Sequence, residues 1–393
     1  RWLVVGGGKT ELIKLDEHRV LFRFEHPYGS FLEALASYSL AMSAAPAHYL
    51  RKYHPKTADG AFLKAEMQAL GVASPRSLYG TIKKFSNPEC PRLWPWVPRT
   101  HSTSSPFVYV RNPYYFAVDP AGNQLPYIDR VQFDVKSSQM LALSIASGEV
   151  SMQGRHLKYE NYTELMERQA QVGYQVRHWY SATRSAWTIH PNLNRLVLPG
   201  DAETSQKSRL LFDKRFRQAL SLAIDRRAII DAEYNGLLHP SQVEPGKESP
   251  FHHERLARAF TEYDPARANQ LLDELGLTGR DVDGMRTFSD GSVMTFNLNF
   301  TSFTGPGPGQ FVVDDWREVG VRAVPREQSR SLFYIKRDSS DFDFLVWPSE
   351  SDYFPMLEPR MFVPPNPEAL YATRWGRWFA QGGYYSPDRP LKV

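Results

Sequence analysis

The residues best placed to contact a ligand follow a short apolar strand near the end of the chain. Phe342, Phe344 and Val346 alternate with their neighbours, a pattern typical of a β-strand. The strand leads directly into Trp347 and a polar loop that reaches Pro355. Because ligands of α/β sheets bind beyond the carboxyl ends of the strands, we expect this loop to contact a ligand.

Two short motifs suggest ion or phosphate chemistry that their spacing does not support. Residues 6–10 resemble a phosphate-binding loop, but that motif needs a glycine where Leu3 stands, and no helix pattern follows. Residues 281–284 resemble the start of a calcium loop, but Met285 and Ser292 occupy ligand positions. We expect a β-turn at the first motif and a β-hairpin with Asp-Gly turns at the second.

The sequence assembles no catalytic constellation. It contains no G-x-S-x-G or H-E-x-x-H motif, and its single cysteine, Cys90, excludes an intrachain disulfide and a multi-cysteine metal site. His48 and His54 are six residues apart, a spacing that does not place two metal ligands on one helix face. We therefore predict no catalytic residue, no metal ligand and no cofactor.

Length and charge indicate a two-lobed globular protein. A chain of 393 residues exceeds one comfortable core, and we predict an α/β first lobe over residues 1–136 and a second over residues 137–393. The net charge of +4 comes without a dense basic cluster, so we expect no nucleic-acid partner. No apolar run reaches the length of a membrane span. The aromatic fraction of 13% suits both a core and a ligand cleft.

Residues 111–152 form the most informative stretch. A polar turn at residues 119–123 is followed by Val131, Phe133 and Val135 in the alternation of a half-buried strand. Ser137 or Ser138 is then suited to cap a helix whose apolar residues are Met140, Leu141, Leu143 and Ile145, and which Gly148 ends. This succession predicts an α/β layer.

Helical periodicity predicts several buried helices in the second half. Residues 212–236 hold two helices, capped by Asp213 and Asp225 and ended by Gly236. A third helix follows the Asp264 cap. Strands at 293–300 and 321–324 flank a helix at 311–319, which predicts a strand–helix–strand unit.

Other segments give weaker patterns. Residues 20–24 predict a strand, residues 31–38 a helix, and residues 159–171 another helix followed by strand alternation at 174–178. The proline-rich residues 87–105 predict an irregular surface segment. Trp375, Trp378 and Phe379 lie at helical spacing, which favours a core role over a place in the cleft.

Three of these segments resemble the extracellular solute-binding proteins of family 5, the oligopeptide/dipeptide-binding components of bacterial ABC transporters. The run RNPYYFAVDPAGNQLPYIDRV is similar to the family pattern RNPxYW…PYxDxV, with Phe116 where tryptophan is usual. The string RFRQALSLAIDRRAII resembles the family signature xxRQALxxAIDRxxII, and YDPARANQLLDELG resembles YDPxxAxxLLxExG.

The resemblance implies a two-lobe periplasmic-binding-protein fold (class II, large cluster C type) with mixed sheets. It implies capture of a peptide or similar small solute between lobes, delivery to ABC permease subunits, a monomer, and a periplasmic or extracellular location with or without a lipid anchor. The implied ligand contacts are Trp347, Asp352 and Tyr353 near residues 347–355, with Asp352 meeting a positive group, and Asn192 and Asn194 after another strand.

Two alternatives stay open. One is a secreted hydrolase acting on peptides or sugars in an aromatic cleft, and the other is an interaction module with exposed aromatic residues. The chain begins at Arg1 on a strand-like pattern and stops at Val393, so we also expect a fragment whose first lobe is incomplete.

Overall fold

The computed structural model describes residues 4–5, 8–38, 45–101, 104–179, 185–349 and 353–381. The chain divides into two compact units, Arg1–Leu141 and Ala142–Val393, here called unit 1 and unit 2. The lobe boundary predicted between residues 136 and 137 stays a prediction. No helix of the described ranges is both long and apolar enough to cross a membrane.

Unit 1 contains small antiparallel sheets and a group of short helices. Its strands are β1 (Val4–Val5), β2 (Gly8–Lys9), β3 (Glu11–Lys14), β4 (Val20–Arg23), β5 (Trp96–Pro98), β6 (Phe107–Arg111) and β7 (Arg130–Phe133). β1 pairs with β2, β3 with β4, and the last three form a sheet in the order β5-β6-β7. The helices are α1 (Phe31–Tyr38), α2 (Ala47–Leu50), α3 (Gly60–Ala69) and α4 (Pro75–Ile82). The predicted strand near residue 20 and the helix at 31–38 are confirmed.

The prediction of an irregular segment at 87–105 is wrong at β5. Trp96 pairs with Arg111 and Pro98 with Tyr109. β5 is an edge strand, and an edge tolerates proline because one side of the strand needs no ladder hydrogen bond. The strand predicted around Val131 is present as β7, but Phe133 and Val135 are exposed rather than half-buried.

Helix α5 (Ser138–Ala146) begins and ends as predicted but buries a different face. Ser137 Oγ accepts a hydrogen bond from the Met140 amide, and Gly148 has a positive φ of 79°. The buried positions are Ala142, Ser144, Ile145 and Ala146, whereas Met140 and Leu143 are exposed. The packed face thus combines Ile145, which was predicted, with the small residues Ala142, Ser144 and Ala146.

Unit 2 is built on one mixed sheet with helices on both faces. Its strands are β8 (Thr188–Pro191), β9 (Thr295–Thr301), β10 (Arg322–Gln328) and β11 (Phe344–Trp347), in the order β10-β9-β11-β8. β9 is parallel to β10 and β11, and β8 is antiparallel to β11. The further helices are α6 (Tyr162–Val172), α7 (Ala202–Phe212), α8 (Lys214–Leu222), α9 (Arg226–Glu233), α10 (Glu254–Ala257), α11 (Pro265–Glu274), α12 (Gly307–Glu318), α13 (Arg330–Ser339) and α14 (Thr373–Ala380).

The main core of unit 2 confirms the helical periodicity of the sequence. Phe216, Ala219, Leu220, Ala223 and Ile224 are all buried in it, together with apolar residues of α11, α12 and β9. The caps are also confirmed, because Asp213, Asp225 and Asp264 each accept hydrogen bonds from amides of the helix that follows. Such caps satisfy amides that have no partner within the helix.

Strand alternation separates two apolar layers. In β11, Phe344 and Val346 face the main core, whereas Leu345 and Trp347 belong to a second cluster with Phe333. The predicted strand–helix–strand unit is confirmed as β9, α12 and β10, although α12 begins earlier than expected, since its first turn accommodates Pro308.

The strand predicted at 174–178 is wrong. Residues 173–179 hold no strand in the described part of the chain. Instead, the Tyr174 hydroxyl donates to the Leu165 carbonyl at 2.7 Å and ties the segment to α6. The hairpin expected after residue 280 is confirmed by bridges that join Arg280 to Arg286 and Thr287 to Val293.

Candidate functional site

The carboxyl ends of β9, β10 and β11 meet at one edge of the unit 2 sheet. They bring together Thr301, Gln328 and Trp347, the last residues of three parallel strands. Because β8 is antiparallel to β11, Thr188 at its beginning pairs with Trp347 at the same edge. This is the edge at which α/β proteins hold ligands.

Trp347 is held inside the protein at this edge. Its side chain is only 8% exposed. The ring lies 5.1 Å from Phe303 and 5.3 Å from Phe333, and the Arg330 guanidinium lies 5.1 Å from its centre. The predicted contact of Trp347 with a ligand is untested, and in this arrangement its ring already has protein partners.

Helix α13 adds a row of charged and aromatic side chains. Arg330, Tyr334 and Arg337 lie four and three residues apart, so they share one helix face. Arg330 Nε donates to the Tyr334 hydroxyl at 3.0 Å, and the guanidinium groups of Arg330 and Arg337 lie 5.7 and 4.7 Å from the Tyr334 ring. Both arginines are thereby fixed in orientation by the same ring.

These side chains line a small cavity of about 210 Å³. The lining residues are His190, Arg330, Phe333, Tyr334, Arg337, Trp347, Pro348, Arg360, Met361, Glu368 and Leu370. Three arginines and one glutamate give the wall an excess of positive charge.

His190 is the buried titratable group of this wall. Burial lowers the pKa of His190 to about 4, so the imidazole is neutral at physiological pH. Its Nε2 lies 3.2 Å from the Trp347 carbonyl oxygen. Because a carbonyl only accepts, Nε2 carries the proton and Nδ1 is left as an acceptor.

Asn192 and Asn194 follow β8, and both side chains form hydrogen bonds with backbone groups of the protein. Asn192 is fully buried, and its amide donates to the carbonyls of Ser340 and Phe342 at 3.0 and 2.8 Å. Its Oδ1 accepts from the Asn194 amide, and Asn194 Oδ1 accepts from the amide of Trp375. These bonds favour a structural role for both residues, and the predicted ligand contact stays untested.

Tyr353 anchors a neighbouring segment, and Asp352 lies outside the described residues. The Tyr353 hydroxyl donates to the Glu248 carbonyl at 2.9 Å, and Ser249 Oγ donates to the Tyr353 carbonyl at 2.6 Å. The loop that the sequence singled out is therefore tied to residues 248–249.

Glu248, which binds Tyr353, also lines a second, larger cavity of about 800 Å³ in unit 2. Its apolar floor comes from the sheet and from helices α8, α9 and α12, and includes Trp187, Ile189, Leu220, Ile224, Ile229, Ile230, Val312, Trp316 and Phe344. Its polar rim includes Thr188, Lys214, Arg217, Gln218, Ser221, Arg226, His239, Ser241, Gln242, Glu244, Lys247 and Glu248. A mostly apolar cleft with a few convergent polar groups is the usual form of a small-molecule site.

Two polar groups of the larger cavity differ in how many hydrogen bonds they make to the protein. The Thr188 hydroxyl is buried and has no hydrogen-bond partner among the described residues. Arg226 donates to the Ser221 carbonyl and to Ser221 Oγ, both at 2.8 Å, and burial lowers its pKa to about 10. The first group has unused hydrogen-bonding capacity in the described part of the chain, whereas the second is largely committed to the protein.

The two cavities lie at neighbouring positions of one strand pair. Thr188 lines the larger cavity, and its strand partner Trp347 lines the smaller one. Within the described ranges, no group of three or more acidic, histidine or cysteine side chains is arranged to hold a metal ion.

Sequence reasoning located the edge but missed most of its residues. Arg330, Tyr334 and His190 were not predicted. The spacing of Arg330, Tyr334 and Arg337 was a readable signal, since it places all three on one face of a helix that follows a strand. His190 gave no such signal, because its burial depends on pairing between strands far apart in sequence.

A mixed sheet covered by helices, with two cavities at the carboxyl ends of its strands, is typical of α/β proteins that bind ligands. The chain belongs to the bacterial extracellular solute-binding proteins, family 5, because the family model described as family 5 Middle matches residues 6–361. The family resemblance and the α/β fold with mixed sheets, both predicted from the sequence, are confirmed.

Individual relatives agree with this assignment. The periplasmic alpha-galactoside-binding protein of Rhizobium meliloti (strain 1021) is 23% identical over 96% of this chain and 53% of its own length. The structure of an oligopeptide-binding protein OppA is 34% identical, with a TM-score of 0.63 over 98% of this chain and 61% of its own. The periplasmic binding protein MelB of Agrobacterium fabrum C58, in complex with stachyose, has the same fold, with 21% identity and a TM-score of 0.66 over 91% of this chain and 52% of its own.

The chain thus spans about half of the length of the curated relative from Rhizobium meliloti.

Proposed function

We propose that the protein is the solute-binding component of a bacterial ABC importer, which captures a small solute and delivers it to the permease subunits. The observation that carries this proposal is the family match over residues 6–361. A periplasmic or extracellular location, with or without a lipid anchor, and a monomeric state belong to the same proposal. The relatives described above are binding proteins, and nothing among them favours the hydrolase alternative.

The solute is proposed to be a peptide or a similar small polar molecule. One relative is named for α-galactosides and another for oligopeptides, so both solute classes enter the test. In unit 2 the larger cavity supports the proposal, because it joins an apolar floor to the Thr188 hydroxyl, which has no partner in the described part of the protein. We propose that Trp347, Asp352 and Tyr353 contribute to ligand contact at the adjoining edge.

The test is a thermal-shift and calorimetric screen of the protein against di- to pentapeptides, stachyose and metal chelates. A solute present at a hundred times its dissociation constant adds about 2.7 kcal/mol to the free energy of unfolding, which raises the melting temperature by a few degrees. We expect a shift with one solute class. If no probe raises the melting temperature and none gives a binding heat, the proposed function is wrong for these classes.

The role of Asp352 is tested in the same screen with paired peptides. If its carboxylate meets a peptide amino group, Asp352→Ala weakens binding of a free peptide more than binding of its N-acetylated form. Equal losses for the two peptides would show that Asp352 does not recognise the amino group.

A further inference from the structure

In the smaller cavity of unit 2, the cation of Arg330 is surrounded by aromatic rings. The Arg330 guanidinium lies 5.1 Å from the centre of Trp347, 5.7 Å from Tyr334 and 5.8 Å from Phe303. Stacking on aromatic faces fixes the plane of a guanidinium and removes part of its water. The group is therefore oriented before any ligand arrives, and less of its side-chain entropy is lost on binding.

Arg330 has no acidic partner among the described residues. Its hydrogen bond there is from Nε to the Tyr334 hydroxyl, which is an uncharged acceptor. Within the described part of the chain, no hydrogen bond engages the two Nη groups, which form the fork that binds a carboxylate or phosphate with two hydrogen bonds. Protein arginines that stack in this way without a carboxylate are suited to recognise an anion.

The other arginines of the wall differ in this respect. Arg360 is bound by two carboxylates, Glu358 at 2.9 Å and Glu368 at 3.0 Å. Arg337 pairs through Nε with the half-exposed Asp338 at 2.8 Å. The positive charge of Arg360 is thus neutralised and that of Arg337 partly so, which makes Arg330 the main source of the excess positive charge.

The size and the remaining wall of the cavity limit what it holds. At about 210 Å³ it is smaller than the roughly 300–1,000 Å³ of pockets that enclose a whole small-molecule ligand. It therefore suits one group of a larger solute. The neutral, 4% exposed His190 adds an acceptor, Nδ1, for a hydrogen-bond donor next to that group.

We infer that Arg330, supported by Arg337, makes this cavity a receptor for an anionic group of the transported solute, a carboxylate or a phosphate. This inference rests on the proposed function, because it specifies the chemistry of the solute at the same sheet edge. It makes Arg330 a specificity-determining residue, one that selects acidic solutes over neutral ones of the same size.

The experiment compares paired probes that differ in one charge. Isothermal calorimetry measures binding of alanine tripeptide against its C-terminal amide, and of galactose 6-phosphate against galactose. The unmodified protein is expected to bind the anionic member of at least one pair tenfold or more tightly, and the pair identifies the source of the anion. Arg330→Gln should remove that preference, and Arg330→Lys should keep part of it, since lysine retains the charge without the planar fork.

Arg326→Gln is the matched control. Arg326 is an exposed arginine of β10, four residues from Arg330, and lies outside the cavity wall. This substitution should leave the preference for the anionic probe unchanged. The melting temperatures of all variants show whether they are folded. Equal affinity for both members of every pair, or a preference that survives in Arg330→Gln, would overturn the inference while the proposed function stands. If the unmodified protein binds no probe at all, both are contradicted for these solutes.

Discussion

Unit 2 organises its buried residues around a single sheet, whereas the described part of unit 1 gathers them mainly among short helices. In unit 2, strand β9 buries Phe296, Leu298 and Phe300 against helices on one face. In unit 1, the main cluster forms around Leu78 between helices, and every residue of the central strand β6 remains partly exposed. A sheet covered by helices buries whole strands, and small two- or three-stranded sheets do not.

The comparison is tested most strongly by removing one aromatic ring from each unit. Phe296 is fully buried and its ring lies 5.3 Å from Phe216 and 5.7 Å from Phe344. Phe296→Ala is expected to lower the free energy of unfolding by about 3–5 kcal/mol, because it removes apolar contact and leaves a cavity. Urea unfolding followed by circular dichroism measures the change.

Phe133→Ala in β7 is the control. Phe133 is 53% exposed, so its loss should change the free energy of unfolding by no more than about 0.5 kcal/mol. Similar losses in the two variants would mean that the burial contrast between the units does not govern stability.

The second prediction compares a buried ion pair of unit 2 with an exposed ion pair of unit 1. Asp343 is 1% exposed and accepts hydrogen bonds from Arg195 at 2.8 Å, from the Asn297 amide at 2.9 Å and from Lys207 at 3.4 Å. Asp343→Ala leaves two buried cations without this partner. We expect a loss of about 3 kcal/mol, at the lower end for a broken buried pair, because Arg195 keeps Asp341 and Lys207 keeps Glu203.

The matched pair in unit 1 joins Arg23 to Glu11 across β3 and β4, and both side chains are 62% exposed. Glu11→Ala should cost no more than about 0.5 kcal/mol, since water screens such a pair. If raising the salt concentration weakened the Asp343 network as much as this pair, the network would not be buried in solution.

Local signals explain why the sequence predicted the helices of unit 2 so well. The caps Asp225 and Asp264 and the apolar stripe around Leu220 act within a few residues, so they are readable without the fold. The same holds for the Asp-Gly hairpin after residue 280. In each case the pattern and the packed structure depend on neighbouring residues.

Distant pairing explains what the sequence did not predict. The strand β5 carries Pro98, which argues against a strand unless its edge position is known. The burial of Trp347 and His190 depends on the pairing of β8 with β11, two strands that lie far apart in sequence. Sequence reasoning therefore identified the edge of the sheet but not the contact between Arg330 and Trp347, and the ligand contact predicted for Trp347 stays a prediction.

The smallest expected effect compares two carboxylates whose pKa values move in opposite directions. In unit 2, burial raises the pKa of Asp315 to about 6, although its Oδ2 accepts from the Asp225 amide. In unit 1, a hydrogen bond from Tyr127 and others from Asn123 and Ala121 lower the pKa of Asp119 to about 2. Burial in unit 2 thus disfavours the charged form of Asp315, whereas hydrogen bonds in the polar turn of unit 1 favour the charged form of Asp119.

The signs for stability follow from proton binding. Between pH 4 and 6 the folded protein holds a proton on Asp315 that the unfolded chain has lost, so this group makes stability fall as the pH rises through that window. Asp119 acts oppositely, since its contribution is present above pH 4 and is lost as the pH falls towards 2.

Asp315→Asn should therefore raise the free energy of unfolding at pH 7 by up to about 1 kcal/mol, a figure reduced for partial exposure, and flatten its slope between pH 4 and 6. The asparagine oxygen still accepts from the Asp225 amide, so the change removes the charge and keeps the hydrogen bond. Asp283→Asn, at a side chain that is 69% exposed, serves as the control. Urea unfolding from pH 4 to 7 decides the matter: an unchanged slope in Asp315→Asn would mean that the carboxyl is solvated in solution, and that packing around α12 is looser than the core beside it.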